Sequence, residues 1–222
     1  MIPNILGNTL YFPGCHTKFF YPNIEKNYEL ILKKAGINFI KMEDVKCCGI
    51  PAYDAGYKDE FYEMVDENTN VFKKNYVNRI ISNSPSCVRA FRDHYGIKAD
   101  HITKVIYDNI KKFDAKFEGK ISYHDPCELG RKLGVYVEPR KILEALGFQV
   151  FEFKTHHENA LCCGAGGNLR QNSPKVAAKI AHLRLAECMT DKIITTCPMC
   201  YQHLKENAPE EISVYELSEV LV

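Results

Sequence analysis

Apolar residues along this chain keep switching between two spacings. Residues 9–12 (TLYF) form a short run fit for a strand. After it, Ile24, Tyr28, Ile31, Leu32 and Ala35 return every three or four positions. That is one face of a helix, which Asn23 can cap and Gly36 can close. Residues 38–42 read as a second strand. The polar stretch 58–76 carries Phe61, Met64, Val65 and Phe72, which predicts a helix with a solvated opposite face. Residues 79–82 predict a third strand, followed by a helix from Cys87. The order then recurs as strand 120–123, helix 138–146, strand 149–153, a helix from Ser173-Pro174, strand 192–195 and a helix from Cys200. Strands alternating with helices imply βαβ units and parallel sheets. The expected fold class is therefore α/β, built as two tandem, pseudo-symmetric βα repeats.

The same repeat is written in cysteines. TLYFPGC, ending at Cys15, matches ISYHDPC, ending at Cys127. VKCCGIPA, around Cys47-Cys48, matches ALCCGAGG, around Cys162-Cys163. RIISNSPSC, ending at Cys87, matches KIITTCPMC, ending at Cys200. Each landmark recurs at one offset within a few residues, so the unit is roughly 110 residues long. The expected division is 1–115 and 116–222, with the junction near residues 113–119. All three landmarks of each unit lie just after a strand. The carboxyl ends of parallel strands share one edge, where ligands bind, so thiols far apart in sequence should converge there.

Composition narrows the chemistry. Lys and Arg total 29 against 28 Asp and Glu, a balance that argues against a nucleic-acid binder. No apolar run approaches the ~18 residues of a membrane span. The first residues lack the basic and apolar regions of a secretory signal, so a cytoplasmic protein is expected. Ten cysteines in that setting point to metal binding or redox chemistry rather than to disulfides. The adjacent pairs weaken a disulfide reading further, because neighbouring cysteines close only a strained ring.

The second unit offers Cys127, Cys162, Cys163, Cys197 and Cys200. Five thiolates overfill one tetrahedral zinc, whereas an iron–sulfur cluster spreads several over several irons. Gly164, Gly166 and Gly167 would let backbone N–H groups approach sulfur, or would simply form a turn into the next helix. The first unit offers Cys15, Cys47, Cys48 and Cys87, with Ser84 where the repeat predicts a fifth cysteine. That set could hold an iron–sulfur cluster or zinc, or be a scaffold. Cys188 lies on the stripe Ala177, Ala181, Leu185 and reads as a core thiol. Cys197-Pro198-Met199-Cys200 also resembles a thiol–disulfide exchange motif, a reading that leaves the other repeated cysteines idle. His124, Arg131 and Arg170 flank the landmarks and could orient an anion or surround an anionic centre. His16, His156 and His157 are candidate ligands or surface groups.

A Cys, then CysCysGly about thirty residues on, then CysxxCys about thirty-five further, twice over, resembles the CCG-domain (cysteine-rich domain) family. YHDPCELGR and ENALCCGAGGN carry the likeness most strongly. The family includes the cysteine-rich catalytic subunit of heterodisulfide reductase. It also includes iron–sulfur subunits of fumarate/succinate oxidoreductases and of lactate, glycolate and glycerol-3-phosphate oxidation systems. The resemblance implies a noncubane [4Fe-4S] cluster on Cys127, Cys162, Cys163, Cys197 and Cys200. It implies an oxidoreductase subunit that reduces a disulfide there with electrons from a ferredoxin-like or flavoprotein subunit. Two alternatives stand beside it: an electron-transfer subunit of an organic-acid system, and a zinc-stabilised structural module.

Overall fold

The computed structural model describes residues 7–115 and 118–222. Residues 116–117, within the expected junction, and residues 1–6 lie outside it. The first repeat runs β1 (Asn8–Tyr11), α1 (Cys15–Phe20), α2 (Pro22–Ala35), α3 (Ile50–Asp54), α4 (Lys58–Lys74), β2 (Val77–Ser82), α5 (Pro85–Asp93), β3 (Lys98–His101) and α6 (Ile102–Asp108). The second runs β4 (Gly119–His124), a π-helical turn (Glu128–Lys132), α7 (Val137–Ala145), β5 (Phe148–Phe151), α8 (Leu169–Asn172), α9 (Pro174–Leu185), β6 (Lys192–Thr195), α10 (Pro198–Asn207) and β7 (Ser213–Glu216). A 3-10 turn, Leu217–Val220, follows β7.

Every strand pair among the described residues is parallel, and the two sheets are ordered β1-β2-β3 and β5-β4-β6-β7. β1 corresponds to β4, β2 to β6 and β3 to β7. The partner expected for β1 at residues 38–42 is reduced to a single bridge, Leu10 to Ile40. Ile40 exchanges backbone hydrogen bonds with β1, through Thr9 O at 2.9 Å and Tyr11 N at 3.0 Å. The next residue, Lys41, turns to α2, where it pairs with Glu25 and with Glu29 at 2.7 Å. β3 and β7 go beyond the sequence expectation: each is four residues long and at least half polar, so neither shows the run or alternation of a strand.

Strand pleating separates two cores. Leu10, Phe12 and Ile80 face a cluster with Phe72, Val88 and Phe91 of the first repeat. Tyr11 and Ile81 face the other way, into a larger cluster. It runs from Tyr28 and Ile31 of α2 to Ile121, Leu143, Ile194 and Leu217 of the second repeat. The repeats are thus joined through shared apolar packing as well as through chain connectivity. Among the described residues, no helix is long and apolar enough to cross a membrane.

Candidate metal centre

The outer cysteine landmarks of each repeat directly follow a strand at the carboxyl edge of its sheet. The CCG turns come later than expected, Cys47 seven residues after the Ile40 bridge and Cys162 eleven after the end of β5. Cys15 opens α1 just beyond β1, and Cys127 leads into the π-helical turn beyond β4. Cys87 and Cys200 lie in the first turns of α5 and α10, which start at Pro85 and Pro198, two residues before the predicted starts. The two CCG turns are shaped by glycine. Gly49 and Gly164 both have φ in the left-handed region, at 80° and 88°. A Cβ on Gly49 would lie 2.7 Å from the Phe61 ring, and one on Gly164 would lie 2.8 Å from the Ala177 carbonyl oxygen. Bare backbone is what lets these turns pack against α4 and α9.

The sulfurs gather as two groups. In the first repeat, Cys15 Sγ lies 3.6 Å from Cys47 Sγ, and Cys48 Sγ lies 3.1 Å from Cys87 Sγ. In the second, Cys163 Sγ lies 3.2 Å from Cys200 Sγ. Cys162 contacts both Cys127 and Cys163, and Cys197 contacts Cys200. All ten cysteines are free. Cys188 stands apart: it follows the end of α9, packs against the larger core and donates to Thr190 O at 3.2 Å.

Crowding splits each group by charge. The thiols of Cys15 and Cys48, helped by the N–H groups of Gly49 and Cys48, favour the thiolate of Cys47. Those of Cys127 and Cys163, with the Gly164 N–H at 3.3 Å, favour that of Cys162. Cys197 is favoured as thiolate by the Cys200 thiol and by the N–H groups of Cys200 and Met199. Their neighbours Cys15, Cys48, Cys127, Cys163 and Cys200 are pushed up in consequence, each holding a proton toward an adjacent sulfur. Bringing further negative charge into such a group is costly unless a cation shares it. The donor set therefore suits a multivalent, thiophilic metal centre.

The two groups meet at one cleft. A cavity of about 210 Å³ is lined by Cys15, Cys47, Cys48 and Cys87 from one side and by Cys127 and Cys162 from the other. Ser84, Gly166 and Met199 line it too, while Cys163, Cys197 and Cys200 are buried. The rim is tied across the repeats. Arg89 of α5 donates to Glu128 at 2.6 Å, and Asn168 donates to the Pro51 carbonyl at 3.4 Å.

The flanking polar residues divide. Arg131 donates to the Ala160 carbonyl at 2.7 Å and so props the loop before the second CCG turn. Arg170 binds Gln202 and Glu206 of α10 at 2.6 and 2.7 Å. His16 lines the cleft. His156 and His157 gather with Glu152 away from the thiols, and Glu152 is held by Arg140 at 2.6 Å. His124 is buried beside Cys163 and Cys200, one ring nitrogen and both sulfurs lying within 4.8 Å of one another. Burial, with Arg184 next to it, pushes its pKa down to about 3. The sequence reading misses Arg184. Its signal is position: it falls three residues after Ala181 and seven after Ala177, on the face that α9 buries. Asn68 of α4 is also missed; it is wholly buried and holds the first CCG approach through Lys46 N at 2.9 Å and Cys47 O at 3.1 Å.

Comparison with known proteins gives the same pattern twice. The cysteine-rich domain (CCG) family matches residues 9–92 and again 121–205. A dihydromethanophenazine:CoB--CoM heterodisulfide reductase subunit of Methanosarcina acetivorans is 28% identical over 97% of this chain and 58% of its own length. EtfAB:quinone oxidoreductase of Syntrophomonas wolfei is 29% identical, over 96% of this chain and 34% of its own. A fumarate reductase (CoM/CoB) subunit of Methanothermobacter marburgensis is 27% identical, over 90% and 42%. The chain thus spans between about a third and three fifths of these relatives.

Proposed function

The chain belongs to the CCG cysteine-rich domain family, and from that premise we propose that it is an iron–sulfur redox subunit that reduces a disulfide in the cleft between its repeats. Cys127, Cys162, Cys163, Cys197 and Cys200 would hold a noncubane [4Fe-4S] cluster. Cys15, Cys47, Cys48 and Cys87 would hold a second iron–sulfur group or a zinc ion. The observation that carries the reading is that both thiol groups border one cavity of about 210 Å³. Five thiols, two of them set up as thiolates by neighbouring donors, suit a polynuclear centre better than one tetrahedral ion.

When bound, an iron–sulfur cluster supplies one-electron steps at a tunable potential. The protein's share is placement. The Gly164 N–H donates to Cys162, the Arg89–Glu128 bridge holds the walls together, and Ile50, Pro51 and Met199 give the cavity apolar surface. Reduction of one disulfide consumes two electrons and two protons and yields two thiols, so a partner must deliver electrons one after another. A ferredoxin-like or flavoprotein subunit fits that need. Relatives named as subunits of larger oxidoreductases support it.

The test is to reduce the protein anaerobically, add an organic disulfide, and count thiols against electrons lost from the visible chromophore. Two thiols per two electrons are expected. A reduced protein that ignores disulfides, yet exchanges electrons with a flavoprotein, would make the chain an electron carrier instead.

A further inference from the structure

His124 stands at the end of β4, completely enclosed. Its Nδ1 lies 2.9 Å from Arg184 Nε. A guanidinium has only N–H groups to offer and keeps its proton inside proteins, so it can only donate. Nδ1 must therefore be the acceptor, and the ring proton must sit on Nε2. Nε2 has no hydrogen-bond partner among the described residues. The sulfurs of Cys163 and Cys200 are beside the ring, within 4.8 Å. A buried donor left unsatisfied costs about 1–3 kcal/mol, and the sulfurs of Cys163 and Cys200, which become thiolates once they hold a metal centre, are the acceptors beside it.

A metal-ligating histidine is wired the other way round. Its far nitrogen donates to a carboxylate or carbonyl, and this leaves a lone pair for the metal. Here the far nitrogen meets a cation, and that cation is immobile. Arg184 is wholly buried and donates to the Thr155 carbonyl at 2.7 Å and to Glu187 at 2.9 Å. Its guanidinium lies 3.8 Å from the centre of the Phe153 ring. The first repeat carries a different residue at this position. Phe12 takes the equivalent place, with its ring 5.0 Å from that of Phe91.

We propose that His124 is a fixed hydrogen-bond donor to the thiolates of Cys163 and Cys200, not a metal ligand, and that Arg184 sets this polarity. The inference rests on the reading that these two cysteines hold an iron–sulfur centre. Hydrogen bonds to ligand sulfur raise a cluster's potential by stabilising its more negative, reduced form. His124 and Arg184 are thus positioning residues that make the second site easier to reduce than an otherwise identical site lacking them.

His124→Phe copies the first repeat and removes the donor while keeping a ring. The variant is expected to retain iron and sulfide. Its reduced-to-oxidised ratio at fixed ambient potential should fall about tenfold, about 59 mV for a one-electron couple. An unchanged potential with a full cluster overturns the proposal. So does loss of iron from a folded variant, which would make His124 a ligand. Ring-nitrogen NMR of the unmutated protein needs no variant to fold: a bare Nδ1 and a protonated Nε2 are expected. An Nδ1–H tautomer or an imidazolium overturns the wiring. If the unmutated protein holds no iron, the cluster reading fails, and the ring-nitrogen pattern alone decides the inference about His124.

Discussion

Gly164 and Gly166 are two positions apart, yet only one has no room for a side chain. At Gly164 a Cβ would strike the Ala177 carbonyl at 2.8 Å and Ile180 at 3.1 Å, in a backbone conformation that favours glycine. Nothing lies within 4 Å of the Cβ position at Gly166. Gly164→Ala should therefore cost about 3 kcal/mol, combining left-handed strain with displacement of α9, whereas Gly166→Ala should stay within about 0.5 kcal/mol. Urea unfolding of both variants checks this, and equal losses would contradict it. The residue scale also marks how far the sequence can be read. The cysteines announce themselves by repetition, but the Arg184–His124 contact joins residues sixty positions apart. It becomes visible only once α9 is known to pack against β4.

At the scale of elements, the first CCG approach is held by one side chain from α4. Asn68 receives a hydrogen bond from Lys46 N and donates to Cys47 O and Tyr95 Oη, with no exposure to solvent. Removing it leaves partly buried backbone groups at residues 46 and 47 without this partner, so Asn68→Ala should cost about 1–2 kcal/mol. It should also speed alkylation of Cys47 in thiol-labelling experiments. A stable variant with unchanged labelling would mean that the loop holds its own shape. The longer helices, α2, α4, α5, α7, α9 and α10, are legible from their apolar faces, and α2 and α4 follow their predicted spans within about two residues. α1, α3, α6 and α8, four to seven residues long, are too short to show a period and are absent from the sequence expectation. β3 and β7 are not legible, because their partners rather than their sequences make them strands. Asp100 in β3 is held by Arg79 of β2 at 2.7 Å, and His101 caps α6 by accepting from Thr103 N. The stretch at 38–42 fails in the opposite direction: its apolar residues suit a strand, but α2 draws Lys41 away.

At the scale of the molecule, the repeats are fastened by apolar packing and by a buried acid. Tyr28 of the first repeat hydrogen-bonds Glu216 of the second, whose other oxygen accepts from Ser218 N at 2.8 Å. Burial raises the Glu216 pKa from 4.5 to about 7. A raised acid binds its proton more tightly when folded. Its contribution to stability is thus full below pH 4.5 and is lost as pH climbs through about 7. Glu216→Gln keeps the shape and cannot ionise. Against that variant, the unmutated protein should lose about 3 kcal/mol between pH 4.5 and 8. A difference that does not vary with pH would show that Glu216 is not buried as an acid.

If repeated thiols, brought to one cleft by parallel strands, hold an iron–sulfur centre, the metal content of the protein must show it. Iron, acid-labile sulfide and zinc, measured per chain on one anaerobically purified sample, test it most directly. About four irons with matching sulfide are expected if the second repeat alone is filled, and about eight if both are. Colourless protein with zinc and no sulfide would contradict the claim and make the cysteines a structural metal site.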